Sequence, residues 1–158
     1  MKKSSFYNMT AREKYKYLIE NNPKYLIYKK KIDQIILEKG FSSIMNDTKW
    51  LELQHEVTKL SFPPAYVEKL VTEDENEENV KIEDYPRWFG DWSPFYEEGM
   101  SIFFSIKYIK VRACYSEYTG QLINPKLIDE TDKFREILKK LNIFFEEENK
   151  TFTIYGYR

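Results

Sequence analysis

Apolar side chains recur at helical spacing over the first sixty residues, then shift to the tighter alternation of strands. Thr10 followed by Glu13 forms a capping box, in which each residue satisfies an orphan backbone N–H of the other, and Ala11, Tyr15 and Leu18 follow at helical spacing. A second helix is predicted from Pro23, which suits a first turn because its missing N–H has no use there. Tyr25, Tyr28, Ile32, Ile35 and Ile36 line its apolar face, Lys29 to Lys31 point outward, and Gly40 stops it. A third helix starts at Asn46 or Asp47, buries Trp50, Leu53, Val57 and Leu60, and ends at Phe62-Pro63-Pro64.

From Ala65 the pattern changes. "AYVEKLVT" predicts a strand, and "MSIFFSIKYIKVRACYSEY" is the richest run of β-branched and aromatic residues in the chain. Within it Ile102, Phe104 and Ile106 share one parity, and Ile109, Val111 and Ala113 share the other. Either a bulge near Lys107–Tyr108 turns both sets toward one core, or the strand is covered on both faces. A turn at Thr119-Gly120 is expected to return a short strand over Gln121 to Asn124. The last helix carries Asp129, Glu130 and Asp132 at its positive end and Lys139 and Lys140 at its negative end, with Phe134, Ile137, Leu138 and Leu141 inward. A hairpin around Glu148-Asn149-Lys150 closes the chain. The order of elements predicts an α+β fold: a helical N-terminal segment, then an antiparallel sheet with one inserted helix and a C-terminal β-hairpin.

At 158 residues one domain is expected, in which residues 1–45 form a basic helical extension and residues 46–158 the α+β core. The net charge of −1 hides a polarised distribution. Residues 1–45 hold ten Lys/Arg against four Asp/Glu, residues 46–100 hold five against fourteen, and residues 101–158 hold ten against eight. Cys114 is the only cysteine, which excludes an intramolecular disulfide and fits a reducing compartment. No apolar run approaches the roughly 18 residues of a membrane span, and the N-terminus lacks a signal-peptide centre. A soluble cytoplasmic protein is expected.

Candidate chemistry is sparse. His55 is the sole histidine and reads as a solvated helical residue, while Cys114 reads as a buried inert thiol. Together they cannot form an imidazole or thiolate zinc site, and no glycine-rich phosphate loop or nucleophile elbow occurs. No enzyme activity, cofactor or metal is therefore expected, although carboxylates alone could hold magnesium. Lys24, Lys29, Lys30, Lys31 and Lys39, with interleaved tyrosines, keep nucleic-acid binding open as an alternative.

The segment "EDYPRWFGDWSPFYEEG" sets six aromatic rings among carboxylates. With the preceding acidic run it places ten carboxylates within 26 residues, around Trp88 and Trp92. Aromatic anchors inside a charged rim are what a protein interface uses. The expected partner-binding residues are Glu73, Asp74, Glu75, Glu77, Glu78, Asp84, Trp88, Asp91 and Trp92, while Tyr85, Phe89 and Phe95 are expected to pack inward. Such a surface would attract a basic partner, with carboxylates standing where a nuclease binds phosphates.

"NDTKW", "SFPP", "FSIKYIKVRA", "NPKLID" and "FTIYGY", spread over residues 46–158, resemble a bacterial family of small uncharacterised proteins. On that resemblance residues 1–45 are an added helical segment. In size, class and charge the chain is also similar to immunity proteins that neutralise secreted toxins. The expected function is a non-enzymatic protein-binding module, an immunity-type inhibitor of a basic toxin such as a nuclease.

Overall fold

A computed structural model describes residues 6, 8–73, 80–118, 120 and 122–158. Helix α1 (Ala11–Asn21) begins as its cap dictates, with the Thr10 side chain accepting from the Glu13 N–H at 3.2 Å. Asn22 then caps α2 (Pro23–Lys39), whose last turn closes on Gly40 in the left-handed region at φ 68°. Helix α3 (Asp47–Val57) is capped by Asn46 and buries Trp50, Leu53 and Val57. After it come β1 (Ala65–Leu70), β2 (Ile106–Arg112), β3 (Cys114–Glu117) and β4 (Lys126–Asp129). Helix α4 (Thr131–Lys140), β5 (Glu146–Glu148) and β6 (Thr151–Tyr155) finish the chain. The fold is α+β, as its sequence of elements predicts.

Four strands form an antiparallel sheet in the order β1–β2–β6–β5, and β3 with β4 forms a separate two-stranded sheet. Ile109, Val111, Phe152 and Ile154 point from one face of the larger sheet into the core, where Trp50, Leu53, Phe134 and Leu138 meet them. Between the helices and the sheet, the 3-10 turn Phe103–Ser105 places Phe103 in a stack of rings, 4.6 Å from Tyr15 and 5.7 Å from Trp50.

The parity conflict in the long apolar run resolves as a bulge. Lys69 pairs with Tyr108 and Leu70 pairs with Ile106, so Lys107 is the extra residue. Its carbonyl accepts from the N–H groups of Gly156 and Tyr157 at 2.8 and 3.1 Å, beyond the end of β6. Ile102 and Phe104 are buried, but in and beside the 3-10 turn instead of on a strand. A second expectation fails: the strand after Gly120 is Lys126–Asp129, not Gln121 to Asn124. Pro125 has no N–H for a ladder, so the strand starts after it. Thr119 and Gln121 lie outside the described residues.

The chain reverses between β5 and β6 through Asn149 and Lys150, both at positive φ (50° and 65°), a primed two-residue turn whose twist matches the strands it joins. Gly156 meets a tighter constraint, since a Cβ there would lie 2.1 Å from the Ile106 carbonyl oxygen, a backbone atom beside the bulge. Gly156→Ala is expected to lower stability by about 1–3 kcal/mol. A urea denaturation midpoint unchanged from wild type would show that the bulge tolerates a side chain there.

Candidate functional site

The aromatic segment is held to the sheet by backbone contacts. Arg112, only 2% exposed, donates from Nε to the Asp84 carbonyl at 2.8 Å and also reaches the Asn149 carbonyl and the Thr151 hydroxyl. The Tyr85 ring lies 5.9 Å from the guanidinium. The Cys114 thiol donates to the same Asp84 carbonyl at 3.2 Å, and burial pushes its pKa up, consistent with an inert thiol. Further along, the Ser116 N–H donates to the Pro86 carbonyl at 3.1 Å and the Gly90 N–H to the Pro63 carbonyl at 3.3 Å. Gly90 permits this approach, because a Cβ would sit 2.2 Å from the Pro64 carbonyl oxygen.

These contacts sort the expected site residues. Trp92 is not an anchor: it is 7% exposed, its indole N–H donates to the Pro64 carbonyl at 2.8 Å, and its ring packs against Tyr66 and Phe134. Tryptophan at this position closes the gap between the β1 edge and α4. Trp88, by contrast, is 42% exposed. Phe89, expected inward, is 52% exposed, with its inner edge against Phe62 and Tyr115. Tyr85 is half-buried beside Arg112, and Phe95 is half-buried between Tyr15 and Tyr25.

The carboxylates separate as well. Asp84 and Glu83 are exposed beside Trp88 in the chain. Asp91 is exposed but turned back on its own loop: hydrogen bonds from the Ser93 hydroxyl and N–H hold its pKa below the usual carboxylate range. Glu73 accepts from the Leu70 N–H at 3.1 Å and lies 3.8 Å from Lys69. It belongs to the C-terminal end of β1, whereas Trp88 lies by the N-terminal end, so about 17 Å of strand separates the two regions. Asp74, Glu75, Glu77 and Glu78 lie outside the described residues. The single patch expected around two tryptophans is thus divided, because the chain leaves β1 at one end and rejoins the sheet at the other.

A neighbouring feature was missed. Tyr118, Leu122, Ile123 and Leu127 on the β3–β4 hairpin are all strongly exposed. The hairpin adjoins the Trp88 loop through the Ser116–Pro86 hydrogen bond and the Phe89–Tyr115 ring contact at 5.0 Å. Pro125 was the available signal: by moving the strand to residue 126, it leaves Leu122 and Ile123 in the turn, without a sheet face to bury them. Asp129 anchors the other end of the hairpin, accepting from the Thr131 N–H at 2.8 Å and from Lys150 Nζ at 2.7 Å.

The other expected chemistries find these surroundings. Tyr25 and Tyr28 are half-buried, with their rings against Phe95 and Phe104, and Lys29 lies 3.4 Å from Asp33. His55 is exposed. No group of three or more His, Cys, Asp or Glu is placed to hold a metal ion among the described residues. No helix among them is long and apolar enough to cross a membrane.

A family model described as a family of unknown function, DUF6678, matches residues 32–158, and the chain belongs to that family. The match starts inside α2, earlier than the residue 46 at which the resemblance in the sequence begins. No curated protein and no solved structure matches the chain.

Two predictions follow from this geometry. Trp92→Ala is expected to cost about 3–5 kcal/mol, whereas Trp88→Ala changes stability by less than about 1 kcal/mol. Equal losses in chemical denaturation would contradict the division into core and surface. The pKa of Asp129 has opposing causes: burial raises it, but the hydrogen bonds from Lys150 and Thr131 prevail and bring it down to about 2. A carboxyl with a depressed folded-state pKa contributes stability above its unfolded value of about 3.9, and that contribution is lost as pH falls toward 2. Asp129→Asn should therefore flatten the stability profile between about pH 5 and pH 2, as thermal melts across that range would show.

Proposed function

We propose that this protein is a non-enzymatic binding module, an immunity-type inhibitor that occludes a basic bacterial toxin such as a nuclease. The observation that carries the reading is the pairing of half-exposed Trp88 and Phe89 with a hairpin exposing Tyr118, Leu122, Ile123 and Leu127. Exposed apolar groups gathered in this way mark interaction sites more often than scattered single residues do. Glu83, Asp84 and Glu117 are exposed near these rings and supply the polar rim.

Charge gives the partner its sign. Residues 46–100 hold fourteen acidic against five basic residues, and a field of that sign accelerates encounter with a cationic surface. Trp88 and Phe89 would then act as anchors, and blockage would be steric and electrostatic, with no group transferred. An inhibitor of this kind works in the cytoplasm of the cell that makes the toxin. The basic N-terminal helices retain a nucleic-acid alternative, but the inward turn of Tyr25 and Tyr28 favours the protein partner.

The test is to look for a toxin domain encoded beside this protein, express it and measure its activity as the protein is added. Stoichiometric inhibition is expected, with an association rate that falls as salt rises. Trp88→Ala and Phe89→Ala should each weaken binding by about 30-fold, the loss typical of an interface hot spot. The absence of an adjacent toxin, or activity untouched at stoichiometric protein, would sink the reading.

A further inference from the structure

A cleft lined by none of the residues of the proposed inhibitor surface lies among the N-terminal helices. It has a volume of about 680 Å³ and opens between α1, α2, the start of α3 and the turn carrying Phe103 and Phe104. That volume is within the range of small-molecule sites, roughly 300–1,000 Å³. Its floor comes from the stacked rings of Tyr15, Phe103 and Trp50, each no more than 2% exposed. Apolar side chains and a few convergent polar groups are the usual make-up of a ligand pocket.

Two opposite charges face this cleft without meeting. Arg12 comes from α1 and Asp47 from the first turn of α3. The other charges along the cleft have neighbours: Lys16 pairs with Glu20 at 4.0 Å, and Lys29 with Asp33 at 3.4 Å. Among the described residues neither Arg12 nor Asp47 forms an ion pair or a side-chain hydrogen bond, with each other or with anything else. Asp47 is exposed as a residue, yet the cleft walls desolvate its carboxylate. Burial raises its pKa against the pull of Lys29 and Arg12. A third polar group is nearby: the Tyr15 hydroxyl accepts from the Phe103 N–H at 2.6 Å, while no described residue accepts its proton. A partly desolvated carboxylate with no direct hydrogen-bonded cation is improved by a ligand ammonium in contact with it.

We infer that this cleft binds a small zwitterion with an apolar body: an α-amino acid bearing an aromatic or large aliphatic side chain. The α-ammonium bonds Asp47, the α-carboxylate bonds Arg12, and the side chain lies against the aromatic floor. The presence of both charges on one cleft, neither paired directly with another side chain, is what selects the class. A simple anion would leave Asp47 unpaired, and a simple amine would leave Arg12 unpaired. The inference is independent of the Trp88 surface, so either can fail alone.

Titration of the full chain with L-phenylalanine, followed through the indole N–H resonances of the three tryptophans, tests it. Saturable shifts are expected at Trp50 and not at Trp88. Phenethylamine, which lacks the carboxylate, and 3-phenylpropanoate, which lacks the ammonium, should each bind about tenfold more weakly, the loss of one charge-assisted contact. Asp47→Asn should weaken phenylalanine about tenfold and leave phenylpropanoate unchanged. Arg12→Gln should do the same to phenylalanine while leaving phenethylamine unchanged. Neither side chain bonds another described residue, so the variants keep the fold, and thermal melts check that. The proposal is overturned by any of three results: no saturable shift at millimolar phenylalanine, shifts centred on Trp88, or affinity indifferent to both variants.

Discussion

Arg112 holds a guanidinium at 2% exposure, where an unpaired charge would be prohibitive, and the surrounding backbone is organised to satisfy it. The Asp84 carbonyl comes from a loop far away in sequence from the final hairpin, whose turn and last strand supply the Asn149 carbonyl and the Thr151 hydroxyl. Because the planar fork of arginine demands several acceptors in fixed directions, it draws these segments together in one arrangement. Lysine, a point charge on a flexible stem, could not impose the same geometry. The placement of the Trp88 loop depends on this contact. With Asp84 held, Pro86 meets Ser116, Gly90 meets Pro63, and the rings between them face outward.

The bulge at Lys107 has a comparable role for the core. It turns Ile106 and Ile109 to a common interior despite their opposite parity, and its freed carbonyl is satisfied by two N–H groups beyond β6. That arrangement needs a residue without a side chain at position 156. It also brings Tyr157 to the cleft, where its hydroxyl donates to the Phe104 carbonyl at 2.8 Å. Core geometry and cleft geometry are therefore linked through one irregular residue. The basic N-terminal helices take part in this second centre, since α1 brings Tyr15 under the ring stack and Arg12 to the rim. Inhibitor surface and cleft lie on different elements and make separate demands on the chain.

What could be read from the chain itself was whatever depends on neighbours within about four residues. The cap at Thr10, the helix starts at Pro23 and at Asn46 or Asp47, the stop at Gly40 and the final hairpin follow from local hydrogen bonding and backbone sterics, which do not wait for packing. The parity change within one apolar run was legible, but it allowed either a bulge or a strand covered on both faces, and only the pairing of β1 with β2 decided for the bulge. The α+β class followed from the order of these elements.

Which aromatic and acidic residues share a surface was decided by tertiary structure alone. Trp88 and Trp92 are four positions apart in an irregular segment, where no period assigns inside and outside; the gap between β1 and α4 selected Trp92. Glu73 and Trp88 are close in sequence but attach to opposite ends of one strand. Arg12 and Asp47, distant in sequence and unremarkable in composition, face one cleft only after three helices have packed. Local chemistry sets the form of each element, but proximity between elements is a property of the packed core, and functional surfaces are made of such proximities.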